Sequence, residues 1–313
     1  MSNPKSPLLT LLQATLGGVF VLVVWGGIVR LSGSGLAIPD WPLAAGKLLP
    51  RPHPNFLIEY THRFLAMIVG FLTLGVAVAV FRSPVWRPRL AGLTVAALIT
   101  LALQVFLGGR VVLEELPVDR VVAHLVIAFL FFAILLRMAL LVRDAAAAES
   151  GAATGGPAAR DPAAGVPAAP ARRRPGLVLW TRLAAAAVLV QVALGGWVSS
   201  SGAALACPDF PTCQGQWFPK LAGPVGIQFA HRLGAYAVVL IVLGLLFRAA
   251  PVALPARTRW PLRISGILLA VQFTLGVMNI WLRIPLPVSA AHLGTALALF
   301  ATLNVAAYEV SRA

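Results

Sequence analysis

Apolar residues in this chain neither alternate along the sequence nor keep to one face of a helix. They run in long blocks. Eight blocks stand out, at roughly 8–29, 56–81, 90–109, 120–142, 179–198, 224–247, 261–282 and 287–308, each bounded by charges or by Pro and Gly. About 20 apolar residues suffice to cross a bilayer as a helix, so the pattern predicts eight membrane-spanning helices. A closed β-barrel would need short alternating segments, and the sequence has none of that kind. The first block is long enough to stay as a span, so no cleavable leader is expected.

Residues 144–176 break the pattern. They read DAAAAESGAATGGPAARDPAAGVPAAPARRRPG, rich in Ala, Gly and Pro with no periodic apolar face. That composition predicts a flexible linker. It divides the chain into an N-terminal four-helix half (1–142), a linker region (143–178) and a C-terminal four-helix half (179–313). The halves resemble each other. Between 25–50 and 194–219, at a constant offset of 169, twelve of 26 positions are identical, among them Gly26/Gly195, Gly27/Gly196, Gly33/Gly202, Pro39/Pro208 and Asp40/Asp209. The offset carries EYTHR (59–63) onto QFAHR (228–232). It becomes 168 at Gln104/Gln272 and at the AHL runs 123–125 and 291–293. Four spans per half give the repeats parallel topology, two similar bundles side by side about an axis along the membrane normal. The expected fold class is therefore an all-α integral membrane protein of eight helices in two pseudo-symmetric four-helix bundles.

Composition agrees. The chain is 59% hydrophobic and 11% charged, against about 25% charged in ordinary soluble domains, and its mean hydropathy is +0.87. A soluble globular enzyme and a disordered chain are both excluded. The net charge of +15 would suggest nucleic acid in a soluble protein. In a membrane protein it reads as topology, and no nucleic-acid partner is expected. With the N-terminus inside, sixteen Lys and Arg fall on the cytoplasmic side. Seven fall outside: Arg30, Lys47, Arg51, Arg110, Arg120, Lys220 and Arg283. Both termini are thus expected in the cytoplasm of a bacterial cell, with the protein multi-pass in its inner membrane.

The candidate chemistry lies in four of the five histidines. His62, His124, His231 and His292 fall at equivalent places on spans two, four, six and eight, each a few residues in from the outer side. His53, in a Pro-rich outer loop, reads as solvated. Ionisable residues inside a membrane are usually functional, although a single buried His serves equally well as a bridge between helices. Two matched pairs argue for more. Two neutral imidazoles from facing helices suit a haem iron, whereas zinc wants three or four clustered ligands with Cys or carboxylate among them. The reading is two haem sites, one per half, on the outer side. They are unequal: Glu59 shares a helix face with His62, and the equivalent position is Gln228. A carboxyl beside a haem edge can move protons, while an amide cannot; a structural bond or a pair with Arg63 is the alternative. Arg63 and Arg232, each following its histidine, either reach haem propionates or snorkel to headgroups. Cys207 and Cys213, six apart in an outer loop, read first as a disulfide, with two free thiols as the alternative. Their counterparts Ile38 and Ala44 cannot bridge. PDWP (39–42) and PDFP (208–211) read as rigid turns over the sites.

Together the eight spans in two repeats, E-x-x-H-R at 59–63, H-R at 231–232, AHL at 123–125 and 291–293, and GGxVRxSGSGL…PDWP at 26–42 resemble the haem A synthase family over nearly the whole chain outside the linker. The resemblance implies an oxidoreductase that converts a methyl group of haem O to a formyl group, making haem A for cytochrome oxidase. It implies haem b as cofactor, with His231 and His292 as axial iron ligands, substrate haem O near His62 and His124, and Glu59 as the catalytic carboxylate. Implied partners are haem O, a haem O synthase and cytochrome oxidase assembly factors, within membrane lipid. Small residues of span one (Gly17, Gly18, Gly26, Gly27) permit close helix contact, in this chain or in a homo-oligomer. Family members often carry Cys in the first outer loop, and this chain departs from them there. Competing readings are a di-haem cytochrome b electron carrier, which leaves the lone Glu59 unexplained, and a haem transporter or chaperone.

Overall fold

A computed structural model describes residues 6–41, 54–153 and 175–312. Among them run eight α-helices: α1 Pro7–Leu31, α2 Pro54–Arg82, α3 Arg87–Leu113, α4 Val118–Ala153, α5 Pro175–Ser200, α6 Gly223–Ala249, α7 Ala256–Trp281 and α8 Leu286–Val310. No strand occurs among the described residues. All eight are long and apolar enough to cross a membrane, as the sequence pattern predicts. Their outward faces carry large apolar side chains such as Phe71, Phe106, Leu240 and Phe247. In water such surface would be costly; in lipid it is the required finish.

Most boundaries fall within a few residues of those expected from hydropathy. The largest difference is at α4, which continues to Ala153 and takes in the first part of the segment read as linker. The physical reason is propensity: 145–148 is four alanines, the best helix former, and the Gly and Pro that end helices come later. Residues 154–174 of that segment lie outside the described residues, as do His53, Ala44 and Pro42.

Within each half, consecutive helices touch and the first touches the fourth, so α1–α4 and α5–α8 each close a four-helix ring. Between halves the contacting pairs are α1 with α8, α4 with α5, and α4 with α8, a set unchanged when the halves are exchanged. Individual contacts are reciprocal as well. A Cβ on Gly27 would meet the Leu293 side chain, and one on Gly196 would meet Leu125, its repeat counterpart. Arg30 donates to the carbonyl of Ser199 at 2.7 Å, and Tyr308 to that of Leu140 at 3.5 Å. In both bonds a position meets its own counterpart in the other half, which a two-fold relation allows only near its axis.

The loops repeat too. Gly33 and Gly202 close α1 and α5 in the left-handed conformation, at φ of 70° and 71°, where a side chain would be strained. Glu115–Leu116 and Arg283–Ile284 place two non-glycine residues at positive φ between α3 and α4 and between α7 and α8. Each of these turns is tied by the same pair of backbone bonds, Leu116 to Val111 at 2.8 Å with Glu115 to Val112 at 3.1 Å, and Ile284 to Asn279 at 2.7 Å with Arg283 to Ile280 at 3.2 Å. The same strained corner therefore leads into each AHL helix.

Candidate haem sites

The four histidines of the two pairs sit at one end of the molecule. His62 and His231 lie eight residues into α2 and α6; His124 and His292 lie six residues into α4 and α8. At 1.5 Å per residue these depths are about 12 and 9 Å. In each ring the paired histidines come from the second and fourth helices, which stand diagonally. Every one of the four is only half-buried although it lies inside a bundle. Each therefore faces internal space rather than tightly packed side chains.

What makes that space is a set of glycines on the other two helices. Ideal Cβ atoms on Gly26, Gly195, Gly276 and Gly108 would stand 3.0, 3.1, 3.3 and 3.4 Å from Cε1 of His62, His231, His292 and His124 respectively. Each glycine lies five residues before the last residue of its helix, α1, α5, α7 or α3. One glycine thus faces one imidazole, four times over. In the sequence only Gly26 and Gly195 stood out, as members of the repeat, and nothing local said that they face histidines.

The polar surroundings differ between the halves. The Nδ1 atoms of His62, His124 and His292 are buried without a hydrogen-bond partner. Of the four, His231 alone has a partner at Nδ1: Nε2 of Gln191 lies 3.0 Å from it and 2.9 Å from the His231 backbone carbonyl. Gln104 donates to the His124 carbonyl at 3.0 Å, and its counterpart Gln272 lies 3.3 Å from Nε2 of His292. Paired buried imidazoles, three of them unpartnered at Nδ1, set against glycine cradles and with no carboxylate or thiol joining them, match what a flat ligand with an iron centre requires. No cluster of three or more His, Cys, Asp and Glu able to hold a bare ion occurs among the described residues.

Glu59 is 3% exposed. One carboxylate oxygen accepts from the backbone N–H of Ile38 at 2.8 Å, the other from Nη2 of Arg63 at 2.6 Å. Arg63 also donates to the carbonyls of Ile38 and Asp40, at 2.8 and 2.7 Å. Arg232 makes the corresponding bond to the Cys207 carbonyl at 2.7 Å and a second to that of Thr212 at 2.6 Å, while its Nε is buried without a partner. Neither guanidinium snorkels; each ties the loop after the first helix of its half to the histidine helix. Cys207 and Cys213 are joined as a disulfide, both fully buried. Asp209 organises the same loop by accepting from the Thr212 hydroxyl and from the N–H groups of Gly215 and Gln214, at 3.0 and 2.6 Å. The Thr212 hydroxyl first, then the Gly215 N–H, hold its carboxyl down to about 2 from an ordinary 3.8. Gln228, the counterpart of Glu59, keeps its Oε1 unpartnered.

A family model described as a cytochrome oxidase assembly protein, COX15-CtaA, matches residues 9–304. Among curated relatives, a protein of Symbiobacterium thermophilum is 31% identical over 271 residues, 84% of either chain. One of Halalkalibacterium halodurans is 26% identical over 94% of either chain. One of Shewanella oneidensis is 27% identical over 94% of this chain and 93% of its own. All three are named "Heme A synthase".

Proposed function

Because the chain belongs to the COX15-CtaA family of cytochrome oxidase assembly proteins, we propose that it is a haem A synthase that oxidises the methyl group of haem O to a formyl group by way of hydroxylated intermediates. The observation that carries the reading is the pair of unequal copies of one site: two histidines against two glycines in each half, with a carboxylate beside only one pair. An electron carrier or a transporter gains nothing from that inequality. An enzyme that keeps one haem and processes another does.

In this reading His62 and His124 would orient substrate haem O, and His231 and His292 would hold a resident haem b through its iron. That haem, when bound, supplies electron transfer. Glu59 takes up the proton released at the substrate methyl or holds a water there. Its carboxylate is already fixed by Arg63 and Ile38, which limits the reorganisation needed when charge moves. Arg232 would offer its unspent Nε to a propionate. The loops held by the two arginines exclude water from above. By the Lys and Arg asymmetry the termini are cytoplasmic and the haem sites face outward. Three of the four small residues of α1 are covered without a second copy, and Gly17 is open. Gly18 meets Val69, Gly26 meets His62 and Gly27 meets Leu293, all within this chain.

The test is coexpression with a source of haem O, followed by chromatography of the extracted haems. Haem A or its hydroxylated precursor is expected. Unchanged haem O would overturn the assignment.

A further inference from the structure

Among the four imidazoles, second-half His231 alone meets a side chain from another helix at Nδ1: Nε2 of Gln191 of α5 lies 3.0 Å from its Nδ1 and 3.4 Å from its Nε2, whereas Gln272 meets His292 only at Nε2. Room for that amide comes from α6: a Cβ on Gly234 would collide with Oε1 of Gln191. Both positions have counterparts at the offset of 169, and both differ there. Gln191 corresponds to Leu22 and Gly234 to Leu65. Polar side chain and notch are present together in one half and replaced together by leucines in the other. Nδ1 of His62 is accordingly buried and unpartnered.

We propose that Gln191, seated in the notch left by Gly234, is the positioning residue that fixes the His231 imidazole and makes the C-terminal half the site that retains its haem, while Leu22 and Leu65 leave the His62 site able to exchange. The inference rests on the reading above that the C-terminal half holds the resident haem. A histidine that ligates iron through Nε2 carries its proton on Nδ1, and an acceptor there fixes the ring's tautomer and direction and raises its basicity. Gln191 has that acceptor to hand, since its Oε1 is buried and unpartnered. A half-turn of the amide presents it to Nδ1–H, in exchange for the bond to the His231 carbonyl. Leu22 can do nothing equivalent. Retention and release of haem, which a synthase needs in different halves, would then follow from two substitutions per repeat, with the iron-facing residues unchanged.

The experiment uses full-length protein in detergent, made in a host without haem O. Haem b per chain, its rate of loss to apomyoglobin and its reduction potential are measured for wild type, Gln191→Leu, Gln191→Glu and His231→Ala. Gln191→Leu is expected to lose haem about tenfold faster, the lower end of the range for removing such a partner, and to show a raised potential. Gln191→Glu, which keeps an acceptor, restores retention. Wild-type loss rate and potential in Gln191→Leu overturn the inference. If His231→Ala keeps its full complement of haem b, the assignment of the resident haem to this half fails instead. Should Gln191→Leu not fold, the converse variant decides. Leu22→Gln with Leu65→Gly, in a His231→Ala background loaded with haemin, is expected to lose that haem severalfold more slowly than the background alone. An unchanged rate overturns the inference.

Discussion

Gly26 and Gly195 show how much of these sites is made by residues that have no side chain. Space for an imidazole is a matter of tenths of an ångström, and ligand geometry tolerates errors of only about 0.5 Å. At 3.1 Å from His231 Cε1, a new Cβ forces the ring or the helix to shift. Gly195→Ala should therefore lower haem b content severalfold, while Gly17→Ala, with nothing within 4 Å, leaves it at the wild-type level; haem quantification on both proteins checks this. Glu59 is a second case. Glu59→Gln keeps an acceptor for one of its two N–H donors and turns an amide donor toward the other. Haem binding should persist, conversion of haem O should fall below detection by chromatography, and protease should cut the loop around Ile38 faster. Full turnover would remove Glu59 from the chemistry. The histidines and Glu59 were legible from the sequence because ionisable residues stand out against an apolar background. Gly108, Gly276 and Gln191 were not, since glycine and glutamine acquire a role only from what lies across the bundle.

At the level of elements, the two outer loops reach one result by different chemistry. After α5 the loop is tied covalently by Cys207–Cys213 and folded around Asp209. After α1, where Ile38 stands in place of Cys207, the tie is Glu59 and Arg63 on the Ile38 backbone. The repeat made the correspondence visible in the sequence. It could not show that Arg63 and Arg232 grip loop carbonyls, because a cation at the end of a span serves loop, lipid or propionate equally well on spacing alone. The Asp209 carboxyl gives this loop a pH dependence of definite sign. Its value in the folded loop, about 2, lies below the ordinary 3.8. Its contribution is therefore complete above pH 4 and is lost as pH falls toward 2. Pepsin, active across that window, should cut near Cys207–Gln216 increasingly as pH drops from 4 to 2. In Asp209→Asn the cutting should be raised at pH 4 already and change little below it.

At the scale of the whole molecule the question is what joins the halves. Hydropathy and the repeat gave eight spans and their parallel order, but the joint is built from residues far apart in sequence, such as Gly27 with Leu293. At the opposite end from the histidines the joint is ionic. Glu309 of α8, fully buried, meets Nη2 of Arg143 of α4 at 2.5 Å and Nε of Arg257 of α7 at 3.5 Å. Asp144 of α4 accepts from the Tyr308 hydroxyl at 2.8 Å and meets Arg312 at 3.3 Å. The partners are unequal, since the Arg143 side chain is 41% exposed and that of Glu309 1%. Removing the arginine strands a buried carboxylate, whereas removing the carboxylate releases an arginine toward water. Arg143→Ala should thus cost more, about 2 kcal/mol, because Arg257 covers part of the loss. Glu309→Gln should cost less than about 1 kcal/mol. In the double variant the stranded charge is gone, so its cost should fall below that of Arg143→Ala alone, a coupling that only direct contact gives. Unfolding midpoints of the four proteins in one detergent measure the cycle. Additive costs would mean that Arg143 and Glu309 do not share this bond, and the polar joint at this end would then rest on Asp144 with Tyr308 and Arg312.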